Sequence, residues 1–96
     1  MKIKLNAITK DMENLGFNLN DVYDVQEIEV SGDFCAYDIF YKIQSKTGRE
    51  DVVFDDLVNI IDDYTEFDDF MEVFNKYIYD KNINIPYKFK FNFPLI

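Results

Sequence analysis

Three stretches of the chain alternate apolar with polar residues at period two: MKIKL at 1–5, YDIFYKIQ at 37–44 and PYKFKFNF at 86–93. A strand with one face buried and one in water reads this way, whereas a helix would scatter the same side chains around its circumference. In the central stretch Tyr37, Ile39, Tyr41 and Ile43 share one face, with Asp38 and Lys42 on the other. In the last, Ile85, Tyr87, Phe89, Phe91 and Phe93 oppose Lys88, Lys90 and Asn92. Both terminal strands are therefore expected to join a sheet with their lysines facing solvent, where lysine also discourages edge-to-edge aggregation.

The segments between them add two kinds of element. Asn6 is placed to cap a short helix with the stripe Ile8, Met12 and Leu15, which Gly16 ends from the C′ position. VYDVQEIEV, residues 22–30, pairs with the central strand across the turn SGD. Its apolar parity changes from Tyr23 and Val25 to Ile28 and Val30, which predicts a bulge near Gln26. KTGR makes the next turn and EDVVF a third hairpin strand.

FDDLVNII and FDDFMEVF then carry the same helical spacing twice: Phe54, Leu57, Val58 and Ile61, followed by Phe67, Phe70, Met71 and Phe74. One continuous helix would rotate the second stripe by about 220° from the first, at roughly 100° per residue. Two helices are therefore expected, the second beginning at Thr65 as N-cap with Asp68 at the capping-box position. The expected fold is one α+β domain over residues 1–96, a mostly antiparallel sheet packed against helices in the order β-α-β-β-β-α-α-β.

Composition limits the chemistry. No histidine occurs, which removes Cys–His and Ser–His–Asp nucleophiles and the usual zinc sites. The single cysteine, Cys35, reads as a buried inert thiol. Gly16, Gly32 and Gly48 stand alone in turns, so there is no phosphate-cradling loop, and the Asp-rich runs lack the glycine and glutamate of an EF-hand. Neither D-x-K nor E-x-K is present, and Glu27 with Glu29 is a poor Mg²⁺ pair on its own. The chain reads as a non-enzyme without catalytic residues, cofactor or metal. No apolar run exceeds the four residues Phe34–Tyr37, so no membrane span is expected and a cytoplasmic protein is.

Charge is blocked rather than mixed, and the net is −9. Residues 50–75 hold ten acids and no base. On a helical wheel Asp56 and Asp63 oppose the first apolar stripe with Asp55 and Asp62 on its flank; Asp69 and Glu72 oppose the second with Asp68 beside them. As helices, Asp56 and Asp63 would begin a row of negative charge spanning about 10.5 Å. Acids in a first turn favour a helix, but Asp62 would close one, where its dipole opposes an anion. Nor does a lysine within the block relieve the carboxylates at the four-residue spacing. Such a surface suits a basic partner. Asp55, Asp56, Asp62, Asp63, Glu66, Asp68, Asp69 and Glu72 are the candidate partner-binding acids, with Tyr64 and Tyr79 as aromatic anchors among them. Direct nucleic-acid binding is disfavoured for so acidic a domain, and the face carrying Lys2, Lys4, Lys88 and Lys90 reads as edge protection.

In size, charge and the order of a three-stranded hairpin region followed by acidic helices over residues 22–79, the chain resembles small acidic anti-CRISPR proteins and other phage DNA mimics. That resemblance implies an inhibitor that blocks a CRISPR effector or another nucleic-acid enzyme by occupying its nucleic-acid channel. The same charge logic fits an immunity protein or antitoxin covering a basic nuclease toxin. A scaffold subunit with no inhibitory role is the third reading.

Overall fold

The computed structural model describes residues 1–33, 36–62 and 64–92. Strand β1 (Lys2–Leu5) is followed by helix α1 (Lys10–Asn14), then β2 (Tyr23–Asp24), β3 (Glu27–Gly32), β4 (Tyr37–Gln44) and β5 (Glu50–Phe54). A 3-10 turn, Asp55–Leu57, leads into β6 (Val58–Ile60), helix α2 (Thr65–Tyr79) and β7 (Phe89–Asn92). The expected α+β class holds, but the strands form two sheets, ordered β2-β1-β6 and β5-β4-β3-β7.

Where the sequence changes parity, the chain changes sheets. The Val25 amide donates to the Met1 carbonyl at 2.9 Å, and the next amide, Gln26, donates to the Lys42 carbonyl at 2.8 Å. Tyr23 and Val25 are thereby buried from the three-stranded sheet, while Ile28 and Val30 are buried from the four-stranded one. The expected bulge is instead a crossing between sheets. Ile3, Ile28, Val30, Tyr41 and Ile43 are fully buried at the centre of the core.

Helix α2 closes that core with the expected stripe, Phe70 and Phe74 being buried. The Phe70 ring meets Phe89 edge-on at 5.2 Å, and Tyr77 lies 4.9 Å from Phe91 on β7. Thr65 begins this helix as expected, although the capping position belongs to Tyr64, whose side chain makes no capping bond. In α1 the cap is Thr9, which accepts the Met12 amide at 3.2 Å, rather than Asn6. Gly16 ends α1 with a φ of 95°, the left-handed conformation the C′ position needs.

The helix expected over 54–61 does not form. One 3-10 turn and an extended strand replace it, β6 pairing antiparallel with β1 through Leu5↔Val58 and Ile3↔Ile60. The physical reason is visible in the residues. An eight-residue helix is marginal in water, Val58, Ile60 and Ile61 are β-branched, and Val58-Asn59-Ile60 also fits period two. With both periods available, pairing to β1 decides.

The terminal strands also part company. β1 is central in the three-stranded sheet, whereas β7 is an edge of the other and runs parallel to β3. Lys88 and Lys90 lie within reach of Glu66 and Glu27, at 2.9 and 3.9 Å. The expectations for Cys35, Asp63 and Phe93 fall outside the described residues.

A candidate acidic docking face on the connection into helix α2

Three of the acids in the 54–66 segment are tied to the fold. Tyr41 on β4 is fully buried, and its hydroxyl donates to Asp55 Oδ1 at 2.7 Å, which satisfies a phenol that would otherwise be orphaned. Burial, with the adjacent Asp55 carboxylate, holds the Tyr41 hydroxyl well above its ordinary ionisation range. Asp62 Oδ2 accepts the backbone amide of Lys2 at 2.9 Å, just past the last β1–β6 rung, where Ile61 donates to the Lys2 carbonyl. The anion that helix stability failed to explain therefore ends a sheet ladder.

Glu66 is the third. Its two oxygens take the Met1 ammonium at 2.5 Å and Lys88 Nζ at 2.9 Å, joining the start of α2 to β1 and to the approach to β7. Burial works to raise its pKa, but the hydrogen bonds from the Met1 ammonium and from Lys88 outweigh it and leave the carboxyl below its usual value. The partner Lys88 is held above its own value, chiefly by the hydrogen bond to Glu66.

Among the described residues the remaining candidate acids face water. Asp56 is exposed in the 3-10 turn, and Asp68 and Asp69 are exposed at the start of α2. Among the described residues none of these three carboxylates has an ion-pair or hydrogen-bond partner. Glu72 differs, because Lys76 stands one turn on and meets it at 3.2 Å, so the four-residue spacing is used once after all. The expected helical row from Asp56 to Asp63 is not built. β6 is extended at roughly 3.3 Å per residue instead of 1.5, so Asp56 and Asp62 sit at opposite ends of a strand.

The connection from β6 to α2 instead leaves two large apolar side chains in water. Ile61 is 45% exposed and Tyr64 is 54% exposed, both far more than core aliphatics and aromatics. The Tyr64 carbonyl accepts the Asp68 amide at 2.7 Å, which sets the Tyr64 backbone at the start of α2. Tyr64 thus directly precedes the helix whose first turns carry Asp68 and Asp69. Of the two, Ile61 is the one that sequence reasoning missed, since a helical stripe would have buried it; period two across 58–60 was the signal.

Tyr79 lies apart, 91% exposed at the far end of α2. Among the described residues, no three Asp, Glu, Cys or His side chains are grouped as metal ligands are, and no helix is long and apolar enough to cross a membrane. A cleft of about 220 Å³ between residues 21–26 and 44–46 carries the Lys46–Asp21 ion pair at 3.0 Å. No protein-family model, curated protein or solved structure matches the chain.

Proposed function

We propose that the protein is a small acidic inhibitor that binds a basic, nucleic-acid-processing protein and covers the surface that protein uses for phosphates. The observation that supports this reading is the exposure of Ile61 and Tyr64 on the connection into α2, whose first turn carries Asp68 and Asp69, carboxylates with no internal partner among the described residues. Carboxylates without partners steer a cationic surface and set its orientation, while a tyrosine supplies the contact area that gives an interface its lifetime. A net charge of −9 adds long-range attraction to such a surface.

The test uses the whole protein as bait in a bacterial lysate, beside two variants, Asp68→Asn with Asp69→Asn and Tyr64→Ser. Proteins retained by the wild type and reduced with both variants are then assayed for duplex binding with and without the inhibitor. The expected outcome is a basic partner displaced from its nucleic acid, with the Asn pair slowing association and the Ser variant speeding dissociation. Retention that is unchanged by either variant, or a partner whose nucleic-acid binding is untouched, overturns the reading. A partner that proves to be a nuclease toxin moves the role to that of an immunity protein.

A further inference from the structure

The second exposed apolar feature lies at the other end of α2. A shallow groove of about 570 Å³ is lined by Glu72, Asn75, Lys76, Tyr79, Asp80 and Ile83, and its surface is mostly apolar. Tyr79 contributes its ring almost wholly to solvent, and no ring contact covers it among the described residues. Such a groove leaves room for an incoming apolar side chain to be removed from water against Tyr79 and Ile83.

The groove is continuous with the acids at the helix start. Asp68, Asp69, Glu72, Asn75, Lys76 and Tyr79 are all exposed along α2, at the spacing that keeps them on its outward side. Asp68 and Tyr79 are separated by about 16 Å along the axis, at 1.5 Å per residue. The one cation on this stripe, Lys76, is already held by Glu72 in a solvent-exposed pair that an incoming cation can exchange at little cost.

We propose that this stripe docks a cationic amphipathic segment of the partner protein, with one aliphatic or aromatic side chain seated in the Tyr79–Ile83 groove. The lysines or arginines of that segment lie two to three helical turns away, along Glu72, Asp69 and Asp68. The inference rests on the acidic-docking reading and adds the chemistry of the partner: a charged segment with an apolar anchor, as opposed to a bare phosphate-binding channel. Charge complementarity selects this occupant over a second copy, because two chains of this net charge repel.

The probe is a synthetic helix-forming peptide with lysines on one face and leucines on the other, labelled for fluorescence anisotropy. Its control replaces the leucines by glutamine at equal charge. The leucine peptide binds about tenfold more tightly than the control, the gain expected from burying one apolar side chain. Tyr79→Ser, at a site too exposed to unfold the domain, narrows that gap to about threefold or less. Asp68→Asn with Asp69→Asn weakens both peptides alike and leaves the gap. Equal binding of the two peptides, or a gap that survives Tyr79→Ser, overturns the groove assignment while leaving the acidic face intact. Failure of both peptides to bind overturns the groove and the acidic face together. Sedimentation of the free protein closes the remaining route: a dimer that Tyr79→Ser dissociates assigns the groove to a second copy and overturns the proposal.

Discussion

The Tyr41–Asp55 pair allows a quantitative test of how the acid-rich segment is divided between fold and surface. Tyr41 is fully buried and donates to Asp55, which stands at the exposed start of the 3-10 turn. Removing either partner breaks the same hydrogen bond, but the consequences differ. Tyr41→Phe frees a carboxylate that water can solvate, and costs about 1 kcal/mol. Asp55→Ala leaves a buried hydroxyl without an acceptor, and costs about 2–3 kcal/mol. In the double variant the hydroxyl is gone, so the Asp55 change adds little to the Tyr41 change. The coupling energy is then close to the whole cost of Asp55→Ala, about 2–3 kcal/mol in magnitude.

The same pair has an alkaline signature. Tyr41 has its folded pKa raised above the unfolded value of 10.0, by burial first and by Asp55 second. Below that unfolded value its contribution is fully present; above it, the unfolded chain loses a proton that the folded chain keeps, and stability falls as pH rises. One such group contributes a loss of at most about 1.4 kcal/mol at one unit above the unfolded pKa. Urea unfolding followed by far-UV circular dichroism, across neutral to alkaline pH, reads both effects. Tyr41→Phe should unfold at lower urea than wild type at neutral pH, and that gap should shrink above the unfolded tyrosine pKa. Equal costs for Tyr41→Phe and Asp55→Ala, or an unchanged alkaline slope in Tyr41→Phe, would refute the reasoning.

Two further tests separate structural carboxylates from available ones. Glu66 has a lowered folded pKa, so its contribution is present above the unfolded carboxyl value of 4.5 and is lost as pH falls through the folded one. Glu66→Gln should cost about 1–2 kcal/mol at neutral pH, with a shallower acid slope in thermal unfolding. Asp62→Ala removes the acceptor of the Lys2 amide and should cost about 1 kcal/mol, with faster hydrogen exchange at Lys2. Asp62→Asn keeps an acceptor oxygen and should cost less.

Period two was legible only in part. Ile85 and Tyr87, expected on one face with Phe89, are 36% and 84% exposed, because β7 begins at Phe89 and, among the described residues, no strand neighbour covers them. Tyr41 and Ile43 are buried at the expected parity, and so is Phe89. The second helical stripe was clear, because Phe67, Phe70, Met71 and Phe74 admit no alternating reading and fifteen residues follow as one helix. Segment 54–61 was ambiguous for a physical reason. Its apolar residues satisfy a helical period and its end satisfies an alternating one, and a distant strand, β1, settles the choice. The sheet crossing at Val25 and Gln26 left a trace as the parity change, but local sequence cannot distinguish an extra residue in one ladder from a change of ladder.

The acidic site was legible as composition and only partly as geometry, and the distinction follows from what a carboxylate can do. Spacing along a chain identifies the acids that face water if the segment is helical, but it cannot identify the amide, phenol or ammonium that a long-range contact delivers. Asp55, Asp62 and Glu66 meet such groups from β4, β1 and the approach to β7, each remote in sequence. These contacts remove the three acids from the row that a helical wheel draws. They also relieve part of the repulsion that a block of ten acids would otherwise impose. The uncompensated charge is smaller than the sequence suggests, and Asp68 and Asp69 carry part of it at the start of a helix whose Phe70 and Phe74 are buried in the core. The packing of Phe70 and Phe74 sets the main chain that carries these two acids, so a contact made there would order little of the backbone.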